Sequence, residues 1–354
     1  MIDKLKKLAA EADFDAVLIT SPENRFYFTG FNSSDGFLLA CADEAVFITD
    51  GRYIEAAEKT VKGCRVVLQT RSAEQLRDIF SSFNISTVAV EADRMTLGEY
   101  SRYASALSGF ELIADGSLDK KINALRAVKE PEEIENILSA QHIAELAFEH
   151  ICGFIKEGKT EKEIQLELDF YMLSHGAEAL SFETIAVSGA NGSMPHGVPG
   201  DRRVQKGDFI TMDYGAVVDG YHSDMTRTVA LGCVSEEQRL VYNTVLKAQQ
   251  AAIDVMLEGV SGKQADAAAR DVITAAGYGE YFSHSTGHGV GVEIHEYPYV
   301  SYANEKPLCE GNVITSEPGI YLPGKFGVRI EDMILVGKDT NKNLTNCPKE
   351  LIIL

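Results

Sequence analysis

Apolar and polar positions alternate with a period of two through residues 211–228, on both sides of Asp219-Gly220. An Asp-Gly pair between two such runs predicts a β-hairpin with a two-residue loop. Closing the loop on those residues pairs Val218 with Tyr221, which sets Asp213 opposite Thr226 and Asp224 opposite Gly215. Side chains alternate faces along a strand, so Asp213 and Asp224 share one face as diagonal neighbours, roughly 7–8 Å apart between Cα atoms. Two carboxylates converging on a half-buried sheet repel unless a cation lies between them. A solvated sheet face is the other reading, and a single bulge would part the two aspartates.

The remaining pattern divides the chain in two. Residues 1–122 alternate strand and helix signals. Short apolar runs lie at Ala16–Ile19, Phe37–Ala40, Ala45–Ile48, Val66–Leu68 and Val88–Val90, with helical stretches near 71–81 and 96–107. This predicts an α/β domain with its own core. The aromatic run Asn24–Phe31 reads as packing, since no basic patch accompanies it as a base-stacking platform would require. A polar stretch, 115–121, leads into a second domain, residues 123–354. There Pro131 opens a long helix, followed by capping boxes at Thr160–Glu163 and Ser235–Gln238 and an alanine-rich helix from Lys263 to Ala276. Strand-like runs follow at 290–294, 312–316 and 327–336. Helix pairs followed by strands, twice over, predict an α+β domain with an internal duplication.

Composition narrows the partners. A net charge of −20 argues against nucleic acid and against anionic membrane surfaces. Six cysteines stand without paired spacing, as reduced thiols of a cytoplasmic protein do, and no stretch has the length and apolarity of a membrane span.

The second half carries further candidate ligands. Gly287-His288-Gly289 puts an imidazole in a glycine-flanked turn, and it lacks the flanking strand and helix of a dinucleotide fingerprint. His284 lies four residues before His288, but serine and glycine make a helix there improbable, so His284 reads as supporting structure. Glu317 precedes Pro318-Gly319. Arg329 and Glu331, two apart on an expected strand, point to one face while Val328 and Ile330 take the other. Four carboxylates (Asp213, Asp224, Glu317, Glu331) and one imidazole match two divalent cations in charge. Oxygen-rich ligation with one nitrogen suits Mn²⁺, with Co²⁺ or Zn²⁺ as alternatives.

These motifs together resemble the metallopeptidases with the pita-bread fold: Met212-Asp213-Tyr214-Gly215, Ser223-Asp224-Met225-Thr226-Arg227-Thr228, Gly287–Gly291, Ser316-Glu317-Pro318-Gly319 and Arg329-Ile330-Glu331-Asp332. Within that superfamily the chain is most similar to the Xaa-Pro peptidases, aminopeptidase P and prolidase. Asn24–Gly30 and Asp50–Tyr53 resemble the N-terminal domain those enzymes share with creatinase. The resemblance implies that Asp213 binds one metal, that Asp224 and Glu331 bridge both, and that His288 and Glu317 complete the second. It further implies a bridging hydroxide as nucleophile, with Glu317 carrying its proton to the leaving nitrogen. His196 and His295 resemble the histidines beside the scissile bond and the tetrahedral intermediate, and Arg329 a substrate-orienting arginine. Proline-containing peptides as substrates and a homodimer are implied as well.

One position departs from the pattern. Prolidase-type members often carry arginine after the proline of the His-Glu-x-Pro motif, where it grips a dipeptide's carboxylate; here Tyr299 stands there. An aminopeptidase P-like preference for longer peptides is therefore expected, with a strict Xaa-Pro dipeptidase as the alternative. A metal-free creatinase-like enzyme or a binding protein on the same fold would be expected to have lost ligand positions, and none is lost.

Overall fold

The computed structural model describes residues 1–11, 13–83 and 85–354. Its contacts separate two compact units, Met1–Leu125 and Arg126–Leu354.

The first unit is built on a six-stranded mixed sheet. Its strands are β1 (Ala16–Ile19), β2 (Phe37–Cys41), β3 (Ala45–Thr49), β4 (Arg65–Leu68), β5 (Thr87–Val90) and β6 (Glu111–Ile113), in the order β4-β3-β2-β1-β5-β6. The expected hairpin is present, with β2 and β3 antiparallel from Phe37↔Ile48 to Ala40↔Ala45. Helices α1 (Ile2–Ala10), α2 (Pro22–Thr29), α3 (Ile54–Thr60), α4 (Ser72–Ser82) and α5 (Leu97–Ala106) connect and flank the strands. Leu76, Ile79 and Phe80 of α4 pack on Leu18, Leu39 and Val88 of the sheet. The aromatic run became α2, because Ser21 caps it through Asn24 N and Pro22 occupies its first turn. Tyr27 and Phe28 are buried, in keeping with a packing role.

Residues 115–121 lead into a helix. From Ser117 they form α6 (Ser117–Ala127), and the division between the units falls inside that helix, near the expected boundary at 122. The polar surface of the segment reflects a solvated helix face, with Leu118 and Ile122 buried on the other.

In the second unit, α7 (Pro131–Phe154) and α8 (Glu161–Ser174) pack on β7 (Ala179–Leu180), β8 (Ile185–Ser188), β9 (Phe209–Tyr214), β10 (Ala216–Val218), β11 (Tyr221–His222) and β12 (Met225–Ala230). Then α9 (Glu236–Val255) and α10 (Gly262–Ala275) pack on β13 (Gly287–Gly289), β14 (Glu296–Val300), β15 (Val313–Ser316), β16 (Gly319–Leu322), β17 (Phe326–Arg329) and β18 (Asp332–Leu335), with β19 (Lys342–Asn343) last. Helix pair then strands, twice, is the expected order. Capping boxes start α8 at Thr160 and α9 at Ser235, as read from sequence, and a third starts α10 at Ser261.

The hairpin register holds, with Val218 opposite Tyr221 and Asp213 opposite Thr226. Its ladder breaks where Asp224 and Gly215 would meet. A β-carbon at Gly215 would stand 1.9 Å from the Ser223 carbonyl oxygen, so glycine is what permits that approach. Ser181 Oγ lies 2.8 Å from both Ala216 O and Ser223 O at this break, and Ala216 O also accepts from Ser223 N at 2.9 Å. One hairpin thus feeds two sheets, β11-β10-β7 and β12-β9-β8.

Two strand expectations are corrected. Val290 has no regular structure and residues 291–295 are bends, so the strands lie on either side of the expected run 290–294, at β13 and β14. The glycines around His288 serve a sheet rather than a turn: β-carbons at Gly287 and Gly289 would lie 2.0 Å from Thr315 O and 2.7 Å from Glu296 O. The run 327–336 is two strands rather than one. β17 pairs with β16 and β18 with β15, with Ile330 and Glu331 at the crossing between sheets.

Candidate metal centre

The sheet crossings bring the candidate ligands to one place. Asp213 leaves the end of β9, Asp224 sits at the break before β12, and His288 lies mid-β13. Glu317 follows β15 and Glu331 stands between β17 and β18. All five line one cavity of about 780 Å³, together with His196, His295, Arg329 and Tyr299. Asp224, His288 and Glu331 each offer a ligand atom within 4.8 Å of the others. His288 Nε2 stands 3.3 Å from Glu317 Oε1 and 3.5 Å from Asp224 Oδ2. Its Nδ1–H donates to Gly289 O at 3.1 Å, which leaves Nε2 as the ring nitrogen turned to the carboxylates.

Electrostatics in the cavity are strained. Burial pushes the Asp224 carboxyl well above its ordinary value, and the neighbouring Asp213 charge adds to it. Burial does the same to Glu331, reinforced by Asp224 and Glu317. Asp213 is also raised by burial, against the pull of Arg329. Burial would raise Glu317 too, but the hydrogen bond and charge of His288 outweigh it and bring Glu317 down to about 2. His288 is held up to about 9, because Glu317 and Asp224 overcome the burial that would lower it.

Two of these carboxylates have an oxygen cut off from water with no hydrogen-bond partner, Asp213 Oδ1 and Glu331 Oε1. Buried polar atoms are seldom left unmatched, and two orphaned carboxylate oxygens beside an imidazole nitrogen form an oxygen-rich donor set. The residues fit divalent metal.

Arg329 is fixed on four sides. Its Nη2 donates to Asp213 Oδ2 at 2.5 Å, Nη1 to Tyr321 Oη at 2.8 Å and Pro195 O at 3.3 Å, and Nε to Thr226 Oγ1 at 3.1 Å. Thr226 passes its own proton to Glu331 Oε2 at 2.7 Å. His284 donates from Nδ1 to Ser285 O, so its Nε2 accepts from Tyr321 Oη at 2.9 Å, and burial keeps the ring neutral. That is the supporting role expected of it. Thr226 and Tyr321 escaped the sequence reading. Thr226 carries a signal in hindsight, as the cross-strand partner of Asp213, whereas Tyr321 is placed only by the turn from β16 to β17.

The two remaining histidines differ. The His295 ring lies 4.3 Å from that of His288, edge to face, and burial lowers its pKa. His196 is exposed on the loop after β8.

Comparison with known proteins gives the same answer for both units. The profile of metallopeptidase family M24 matches residues 135–338, and that of the creatinase/prolidase N-terminal domain matches residues 1–128. A Pyrococcus furiosus protein named Xaa-Pro dipeptidase is 38% identical over 99% of this chain and 99% of its own. The solved Xaa-Pro dipeptidase from Bacillus anthracis superposes with a TM-score of 0.95 at 40% identity, covering 100% of this chain and 99% of its own. The X-Pro aminopeptidase from Thermotoga maritima gives a TM-score of 0.91 at 36% identity, covering 99% and 100%. The catalytic unit has the pita-bread fold of these neighbours.

Proposed function

The chain belongs to metallopeptidase family M24, and from that premise we propose that it hydrolyses the bond between an N-terminal residue and proline. The observation that carries the reading is the convergence of Asp213, Asp224, His288, Glu317 and Glu331 on one cavity, with two carboxylate oxygens left unpartnered. The names of the similar proteins supply the Xaa-Pro preference.

Asp213, Asp224 and Glu331, with His288 and Glu317, are the residues that would hold two divalent ions, manganese by the donor set. When bound, such a pair makes a nucleophile of water at neutral pH and polarises the scissile carbonyl. The protein's own groups do the rest. Glu317 takes the proton of the attacking water on its carboxylate and returns it to the departing nitrogen. Proline leaves as a secondary amine and needs that proton to depart. His295, kept neutral by burial, donates an N–H to the oxygen that gains charge, and His196 stands at the cavity as a second donor. Arg329 holds Asp213 and Thr226 in place, and through Thr226 it also holds Glu331.

Substrate length is the second element of the proposal. Tyr299 lines the cavity and is 48% exposed. Two cationic side chains other than histidine line it: Arg329, engaged as above, and Lys162, whose Nζ donates to Gln165 Oε1 at 2.8 Å. Arg329 does not stand free for a dipeptide carboxylate, and with tyrosine rather than arginine at position 299 peptides that continue past proline are favoured. The test is metal content measured together with release of the first residue from Xaa-Pro and Xaa-Pro-Yaa peptides. Metal-dependent release from both is expected. Full activity after confirmed metal removal, or no cleavage before proline, would overturn the reading.

A further inference from the structure

The segment that delivers His288 has no strand beside it. Residues 282–286 run without regular structure into β13, yet side chains of α10 bond the backbone of Phe282, His284 and Thr286. Arg270 on α10 donates from Nη1 to Phe282 O at 3.0 Å and from Nη2 to His284 O at 2.9 Å. Asp266, one turn earlier, accepts from Thr286 N at 3.0 Å and from Thr286 Oγ1 at 2.9 Å. The contacts fall on residues 282, 284 and 286, the alternation by which one strand reads another. Two side chains of a helix thus take the place of a missing strand, in step with His288.

The pair is built to be rigid. Arg270 grips both Asp266 oxygens, Nε to Oδ2 at 2.9 Å and Nη2 to Oδ1 at 3.0 Å, and its guanidinium lies 4.3 Å from the centre of the Phe282 ring. Asp266 is 1% exposed, and all its bonds are to groups it orders. The clamp reaches beyond His288. Thr286 O accepts from Glu317 N at 2.8 Å, so the residue held by Asp266 also fixes the backbone of Glu317. Thr315 Oγ1 accepts from His288 N at 3.1 Å and donates to Glu317 Oε1 at 3.4 Å, tying the two ligands together. Asp213, by contrast, is held directly by Arg329 and the β9–β12 ladder, and is joined to this clamp indirectly, through the chain Arg329–Tyr321–His284.

We propose that Asp266 and Arg270 are positioning residues that set the register of His288 and Glu317, and so govern that side of the metal centre far more than the Asp213 side. The inference rests on the metal-binding reading above. Variants Arg270→Lys and Asp266→Asn of the full chain test it. The first keeps the charge at a partly exposed position, so it folds even if the second does not. Two readouts separate this inference from the reading beneath it. In protein stripped of metal, hydrogen exchange should quicken in peptides spanning 284–289 and 315–318 and stay unchanged in those spanning 209–214 and 225–230. Unchanged exchange at 284–289 and 315–318 would overturn the clamp whatever the protein binds. In equilibrium dialysis against Mn²⁺, one ion per chain should keep wild-type affinity while the other weakens by about 10- to 100-fold. Equal weakening of both ions, or of neither, would overturn the asymmetry. A wild-type chain that binds fewer than two ions would sink the metal reading, and exchange would still decide the clamp.

Discussion

His288 Nε2 faces Glu317 Oε1 across 3.3 Å, and on the proposed reading the same nitrogen would bind metal. A proton and a cation therefore compete for one atom. Without metal, Glu317 and Asp224 hold the imidazolium up to about 9. The stabilisation it brings is fully present below the ordinary histidine value near 6.5 and is lost as pH rises through about 9. Metal needs the neutral ring, so binding expels this proton below that pH. Apparent Mn²⁺ affinity should climb about tenfold per pH unit for each proton released as pH rises from about 6.5 toward 9. Calorimetry in buffers of different ionisation enthalpy measures the release. An affinity flat with pH, with no proton expelled, contradicts it.

Asp224 carries the opposite burden. Its carboxylate is buried against Asp213 and Glu331, which makes it a cost in protein without metal, and on the proposed reading it would be a ligand in protein with it. Chelation should therefore lower the melting temperature, and Mn²⁺ should restore it. Asp224→Asn should raise the melting temperature of stripped protein above that of stripped wild type, while abolishing the gain on adding Mn²⁺. Both changes are read in one thermal scan. A variant less stable than wild type without metal would show that repulsion is not what Asp224 contributes there.

Arg227 and Asp332 mark a different kind of buried charge. They are 1% and 0% exposed and bond at 2.8 Å, and Arg227 also donates to the carbonyls of Glu331, Cys347 and Pro348. Asp332 also pairs with Lys349, but removing Asp332 leaves the Arg227 charge in the core without that carboxylate. Asp332→Ala should reduce unfolding free energy by roughly 3–5 kcal/mol. Glu74→Ala, which breaks the exposed pair with Arg71, should change it by less than about 1 kcal/mol. Urea denaturation of the two variants checks the contrast.

The sequence was most legible where chemistry is local. Asp219-Gly220 set the hairpin register, and Thr160 and Ser235 announced their helices by capping, because each depends on residues within four positions. The strand breaks at Gly215–Asp224 and at Ile330–Glu331 were not legible, since both arise where a strand passes from one sheet to another. Alternation of apolar and polar residues continues through such a crossing unchanged. His288 was misread for a related reason. Its flanking glycines look like a turn, and only the carbonyls of Thr315 and Glu296 explain them as room for neighbouring strands. Thr226, Tyr321 and Asp266 reach Glu331, His284 and Thr286, which lie 105, 37 and 20 positions away and beyond the reach of local pattern.

Tyr299 bears on what the enzyme will accept. A dipeptide ends in a carboxylate just past the proline ring, and burying that charge without a partner is unfavourable. A charge-assisted hydrogen bond to arginine would contribute about 1.5–3 kcal/mol there, whereas the tyrosine hydroxyl offers one neutral donor. Arg329 is tied to Asp213, Tyr321, Pro195 and Thr226, so turning it toward a substrate would break bonds that hold the centre together. A longer peptide has a neutral amide at that point, and the half-exposed ring gives its chain an apolar surface to cross. Xaa-Pro-Yaa peptides should therefore be cleaved at least as efficiently as Xaa-Pro dipeptides. Tyr299→Arg should shift the ratio of kcat/KM toward dipeptides by about tenfold for each 1.4 kcal/mol gained. The change should appear as the peptide's C-terminal charge is varied, with Xaa-Pro amide as the uncharged control. A wild-type enzyme that strongly prefers dipeptides and ignores Tyr299→Arg would place the carboxylate in contact with some other group, and Lys162 would be the next to test.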